Sequence, residues 1–509
     1  MSRRHLIKST GIIGSATALS RVLGFIRDIV IARLFGTAVY AQAFVVAFRI
    51  PNLLRDLIGE GAANSAIVPV LTGELTTRGR EEFFRLAQVV LNIVVVALAT
   101  ITLIGILMSP VIVRLIAPGF IADPEKLQIT ITLTRIIFPF LMMVGLWAYA
   151  MGVLNSLGYF ASPALGPVML NLSMIVCATW FGENVLGLAA GVLAGGMLQI
   201  LIQLPPLYRS GWKARLTAEF THPKARKIGG LLIPRTLGAC VYQVDVFIST
   251  ILASFLSVKG DEVAALYYAN RVWQLPLAIF AIPLAQAALP AMSRHAALND
   301  IAEIKNTVYF SIKTLLCVLV PSTVGLMVLH IPITGVLFER GAFTSYSTAI
   351  TANALMFYAM GLVACGGAKV LANAFYSLHD TRTPVKAAFV ALATNITMSL
   401  MLMWPLKAGG LALANSIATT VNFIMLYILL KKRVKDLSLR PLAELLTKVT
   451  VASLAMGACL FISMHYIPYK SAWGLFLEMA IGMAVFFAVS HALGIKELRE
   501  LLGWISGRR

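Results

Sequence analysis

Runs of about twenty apolar residues, each long enough to cross a hydrocarbon core of about 30 Å, recur from one end of this chain to the other. A backbone in lipid has no water to bond with, so such runs must satisfy their own N–H and C=O groups, as helices do. The chain therefore reads as an all-α polytopic membrane protein. Charge content agrees: 13% of the 509 residues are charged and 59% hydrophobic, where soluble domains carry about 25% charged residues. Windows of spanning length fall at 11–36, 39–70, 84–109, 127–153, 163–181, 185–207, 228–257, 262–291, 307–330, 343–377, 384–404, 409–430, 442–467 and 472–494, about fourteen helices. Arg21 and Arg27 interrupt the first window with no clean small-residue cleavage site before them, so a retained helix is expected there and not a signal peptide.

A net charge of +20 invites a nucleic-acid reading, and the placement of the cations answers it otherwise. With an even helix count both termini share a side, and Arg3, Arg4 and Lys8 put that side in the cytoplasm. Alternate loops then carry the basic residues: Arg78, Arg80 and Arg85; Arg209 to Lys227; Lys431 to Arg440; and the tail from Lys496 to Arg509. The opposite loops hold about one each, at Arg114, Lys126, Lys259, Arg340, Lys407 and Lys470. The excess is a topology signal, and no nucleic-acid partner is expected. The five cysteines stand singly in apolar segments without CxxC spacing, as reduced packing residues do.

An internal repeat organises the chain. AFRIP around Arg49 matches ANRVW around Arg271, and each runs on to a proline in a similar setting, Pro69 and Pro290. NSLGYFASP ending at Pro163 parallels YSLHDTRTP ending at Pro384, and Asn171 with Ser173 parallels Asn395 with Thr397. The offset stays near 221 residues, so six helices repeat after six in the same orientation. Parallel repeats of this kind predict two lobes about a midplane site. The expected division is an N-lobe over 1–208, a basic cytoplasmic joint over 209–227, a C-lobe over 228–433, and two further helices with a tail over 434–509. Those last two serve either as packing or lipid-facing elements or as a groove for a lipid tail.

The charges inside the spans bear on function, because one charge at a helix centre costs about 2.5–3.5 kcal/mol on insertion scales. The first helix carries Arg21, Arg27, Asp28 and Arg33; the second carries Arg49, Arg55, Asp56 and Glu60; the seventh has Arg235 and Asp245, and the eighth Arg271. Arg21 to Asp28 and Arg49 to Asp56 are each seven apart, one helical stripe, so internal ion pairs account for part of this charge. A cationic surplus remains. Arg21, Arg49 and Arg271 fall near mid-helix, whereas Arg33, Arg114 and Arg135 lie near ends, where a long side chain snorkels. A guanidinium stays charged when desolvated and grips phosphate with two parallel N–H groups, so an anion is expected, and a diphosphate fits.

The strings SRVLGFIRDIVIARLFG (20–36), AFVVAFRIPNLLRDLIGEGAANSAIVP (43–69) and YYANRVWQLP (267–276) resemble the MurJ, or MviN, family of bacterial lipid II flippases, and the likeness runs over essentially the whole chain. It implies the multidrug/oligosaccharidyl-lipid/polysaccharide exporter fold, two six-helix lobes with two extra helices beside a hydrophobic groove. It also implies a transporter, not an enzyme, that moves undecaprenyl-diphosphate-linked lipid II to the periplasmic leaflet of the inner membrane by alternating access. Expected partners are lipid II, membrane lipids and the cell-wall synthesis machinery. By the same resemblance Arg21, Arg27, Arg55 and Arg271 bind the diphosphate, and Asp28, Gln42, Arg49 and Glu60 are candidate gate or polar cavity residues. Gln42 departs from the aspartate common in the family, and Asp56 from a second arginine found in some members. No bound cofactor is implied; Na+, H+ or the membrane potential would drive transport. Some members hold sodium, and Asp245, Asn395, Ser399 and Asn415 are the matching candidate cation site, with an Asp245–Arg235 pair as the alternative.

Other classes fit less well. No clustered carboxylate pair, HExxH, GxSxG or Walker loop supports a transferase or an ATPase. A flippase for another polyprenyl-diphosphate-linked oligosaccharide stays open, as does a drug/cation antiporter, although the latter calls for an acidic or apolar cavity where this sequence is basic.

Overall fold

The structure, a computed structural model, describes residues 3–55, 63–212, 219–256, 261–434, 437–466 and 471–498. Every regular element among these residues is helical. Each sequence window falls, within those bounds, on helical elements. The chain forms two compact units, Met1–Val258 and Lys259–Arg509.

The first unit contains α1 (Arg3–Phe35), α2 (Val39–Arg55), α3 (Ala63–Ile116), α4 (Pro124–Ile137), α5 (Phe140–Ser156), α6 (Ala161–Phe181), α7 (Val185–Leu201), α8 (Leu204–Arg209) and α9 (Pro223–Leu256). In the window over 39–70 the described residues are helical as α2 up to Arg55 and as the start of α3 from Ala63, and 56–62 lie outside the described residues. Long α3 is really two helices joined at Gly79, whose φ of 84° and ψ of −171° suit only glycine. A Cβ there would meet nothing within 4 Å, so the backbone and not crowding demands the residue. An ionic network brackets this break: Glu74 lies 3.1 Å from Lys224, Glu82 meets His222 at 3.2 Å, and Arg85 meets Glu219 at 2.7 Å. The Arg85 guanidinium holds the Glu219 carboxyl below the usual range. The basic joint is thereby tied to α3 where its second helix begins, and α9 packs within this first unit. The repeat is a property of the sequence and this division a property of the packing, so their boundaries differ by one helix.

In the second unit α10 (Glu262–Pro276) leads through a π turn at Leu277–Ala281 into α11 (Ile282–Ala297). Then come α12 (Ile301–Val328), α13 (His330–Phe338), α14 (Ser345–Ala359), α15 (Leu362–Ser377), α16 (Arg382–Arg433), α17 (Arg440–Ser463) and α18 (Ala472–Ala492). Side-chain caps start three of these: Asp300 accepts from Glu303 N, Thr344 from Ser347 N, and Ser471 from Gly474 N, each replacing a bond that a first-turn N–H lacks. The pair α14–α15 bends by 45°, and α16 is two helices meeting at Lys407, whose φ is 49°. Short α13 was not legible as a separate helix. The final hairpin α17–α18 lies along α12, and Lys313 on α12 meets Glu497 at 3.0 Å.

Candidate functional site

In α1 the buried residues Ala16, Arg27, Asp28, Ile31, Ala32 and Phe35 form one stripe, which faces α6. What lets α6 carry a polar side chain to that stripe is its seating on α7. Gly191 and Gly195 bring the two helices so close that an added Cβ would lie 2.9 Å from the Cα atoms of Met174 and Leu170. Ser173 locks the contact by donating to the Gly191 carbonyl at 3.0 Å. Asn171, on the same turn as these α6 residues, then reaches α1.

There the Arg27 guanidinium donates from Nε and Nη2 to Asp28 Oδ1, at 3.0 and 2.7 Å, and from Nη1 to Asn171 Oδ1 at 3.0 Å. Asn171 Nδ2 in turn donates to the Ser20 carbonyl at 3.0 Å. Arg27 and Asp28 are 6% and 1% exposed, so this is a buried ion pair whose arginine also holds Asn171. Sequence spacing pointed to Arg21 as the partner of Asp28; the described pair is Arg27–Asp28, between adjacent residues. Arg21 is exposed, off the buried stripe.

Arg49 on α2 reaches across to α9, where Nη1 donates to Thr250 Oγ1 and lies 3.5 Å from the Val246 carbonyl. Gln42 is fully buried in the first turn of α2. Arg55 is the last described residue of α2, its side chain outside the described part, and Glu60 lies outside the described residues altogether. Arg33, Arg114 and Arg135 sit in the last turns of α1, α3 and α4 and are exposed, as expected of snorkelling cations that also meet the negative end of a helix.

Arg271 occupies a different setting in the second unit. Helix α10 is buried at Val263–Leu266, Tyr268, Ala269, Val272 and Trp273, and half-buried along Tyr267, Asn270, Arg271 and Gln274. The i, i+3, i+4, i+7 spacing puts these four on one face. Arg271 lies over the Tyr267 ring, 4.9 Å from its centroid, and Nη2 donates to the Tyr267 hydroxyl at 3.3 Å. Gln274 Nε2 donates to Asn270 Oδ1 in the same stripe. Only Arg271 of the four stands out in the sequence by its charge; the polar spacing within YYANRVWQLP is the signal that reveals the other three.

Of the candidate cation set, Asp245 is half-buried on α9 in the first unit. Asn395 and Ser399 are buried on α16, where Ser399 Oγ donates to Asn395 Oδ1 at 3.3 Å, and Asn415 is half-buried further along the same element. Among the described residues no group of three or more His, Cys, Asp or Glu side chains is arranged to hold a metal ion.

The family model described as "Lipid II flippase MurJ" matches residues 31–483. A Rhizobium meliloti protein described as "Probable lipid II flippase MurJ" is 33% identical over 509 residues, covering 96% of this chain and 94% of its own. One of the same description from Vibrio cholerae serotype O1 is 32% identical, covering 98% of each. A solved structure described as "Lipid II flippase MurJ, inward closed conformation" superposes with a TM-score of 0.80 at 25% identity, over 96% of this chain and 99% of that one. An inward-facing multidrug resistance MATE family transporter of the MOP superfamily reaches a TM-score of 0.66 at 16% identity, over 82% of this chain and 95% of that one, a likeness of fold alone.

Proposed function

This chain belongs to the lipid II flippase MurJ family, a family of transporters, and from that premise we propose that it carries lipid II from the cytoplasmic to the periplasmic leaflet of the bacterial inner membrane for peptidoglycan synthesis. The observation that carries the reading is Arg271: a guanidinium on a half-buried polar stripe of a largely buried helix, lying over the face of an aromatic ring. Together with Arg21, Arg27 and Arg55 it would supply cations for the diphosphate of the lipid, and the undecaprenyl tail would stay in the bilayer or against α17 and α18.

Both termini lie in the cytoplasm in this reading, and the cell-wall synthesis machinery receives the exported lipid. Transport proceeds by alternating access, driven by the membrane potential or by a coupled Na+ or H+. Asp245 is the carboxylate assigned to coupling, with Asn395, Ser399 and Asn415 as neutral oxygen donors.

The test is an in-cell assay of lipid II exposure on the periplasmic face after depletion of the parent protein, with alanine variants supplied in turn. Replacement of Arg271 is expected to stop exposure at normal protein level, while replacement of exposed Arg114 or Arg135 leaves it intact. Lipid II export by Arg21→Ala, Arg27→Ala, Arg55→Ala and Arg271→Ala variants alike at the parental rate would refute the cationic mechanism.

A further inference from the structure

We infer that Tyr267 is a positioning residue for Arg271, presenting its guanidinium in a fixed attitude to an anionic, diphosphate-bearing ligand. The inference rests on the reading of Arg271 as a ligand of the diphosphate. A long arginine stem gives up side-chain freedom whenever it grips a ligand, so orientation set in advance improves the grip.

Tyr267 sets it twice over. The ring face, negative from its π electrons, attracts the guanidinium 4.9 Å away, and the hydroxyl accepts an Nη2 proton at 3.3 Å, which fixes the rotation of the guanidinium plane. A carboxylate in this place would fix the plane as well but would cancel the charge that a phosphate needs. The ring itself is held. Tyr267 meets Tyr268 edge to face at 5.5 Å, and Tyr268, fully buried, stands in a three-ring cluster with Phe338 of α13 and Phe343, at 5.2 and 5.6 Å. Phe338 and Phe343 complete the triangle at 5.7 Å. Since Arg271 follows Tyr267 by four residues on one helix, the two move together wherever α10 goes.

The test measures binding of undecaprenyl diphosphate by the full-length protein in lipid nanodiscs. Arg271→Ala is expected to weaken binding by about tenfold or more. Tyr267→Leu, which keeps an apolar side chain of helix-compatible shape, should weaken it by about three- to tenfold, and Tyr267→Trp should stay within about twofold of the parent. In an Arg271→Ala background Tyr267→Leu should add nothing. Stepwise fluorination of a phenylalanine placed at 267 drains the ring face without altering its packing, and affinity should fall step by step, which a packing role would not produce.

Weakened binding in Arg271→Ala with parental binding in Tyr267→Leu overturns the positioning role alone. An equal loss from Tyr267→Leu with and without Arg271, or a flat fluorination series, does the same. Parental binding by Arg271→Ala overturns the reading of Arg271 as a ligand and the present inference with it.

Discussion

Asn171 and Asn395 stand at matching places in the repeat, as do Arg49 and Arg271, and the two units point their bonds in different directions. In the first unit Asn171 joins Arg27 and Ser20 on another helix, and Arg49 reaches Thr250 on α9. In the second, Asn395 accepts from Ser399 one turn along its own element, and Arg271 donates to Tyr267 one turn back. A bond across helices fixes a distance between them and is lost if either shifts. One along a helix travels with it. In the bonds described, the repeated positions fasten helix to helix in the first unit and tie neighbouring turns of one element in the second.

The largest break in this comparison is expected from the two arginines. Arg271→Ala should abolish lipid II exposure, a loss on the order of a hundredfold or more as judged from desolvated charge-assisted contacts, with accumulation unchanged. Arg27→Ala should, besides any loss of export, lower accumulation, because it strands buried Asp28 at a cost of about 3–5 kcal/mol. Replacing Arg27 and Asp28 together by Leu should recover much of that stability, read as the unfolding midpoint in detergent. If Arg27→Ala is fully stable, the fastener role fails.

Next in size, Asn171→Ala should destabilise by about 1–3 kcal/mol, by leaving the buried Arg27 Nη1 without its acceptor. Asn395→Ala, at the matching place, should cost less than about 1 kcal/mol. Equal losses at the two asparagines would erase the contrast between the units. The smallest effect belongs to an ion pair at a helix end of the second unit, Asp380–Arg433 at 2.6 Å. The Thr383 backbone N–H, its hydroxyl and then Arg433 hold the Asp380 carboxyl below its usual range. A depressed carboxyl contributes stability that is fully present above its unfolded value of about 3.9 and fades as pH falls through the lower folded value. Arg433→Ala should therefore narrow the gap in stability between pH 6 and pH 3 by at most about 1 kcal/mol.

Much of this was legible beforehand, and physics says which part. Spanning helices announce themselves because lipid leaves a backbone no other way to bond, so 163–181, 185–207 and 472–494 fall within a few residues of α6, of α7 with α8, and of α18. Arg27–Asp28 was missed for a geometric reason. Neighbouring side chains leave a helix about 100° apart, so spacing rules look three, four or seven residues away, and a long arginine can nevertheless fold back on its neighbour. Tyr267 was hidden by its chemistry: an aromatic residue in an apolar span reads as packing until a cation is seen on its face.

Adjacency of Arg27 and Asp28 also bears on how the chain is made. Asn171 follows 144 positions later, which at ordinary elongation rates means roughly ten to thirty seconds of synthesis. A pair encoded by consecutive codons closes as soon as its own turn of helix does, so the nascent first span can leave the translocon sideways with these two charges already cancelled. The asparagine arrives as a second fastening on a segment that lipid has by then accepted, and the order of translation becomes part of how a polar first helix is tolerated at all.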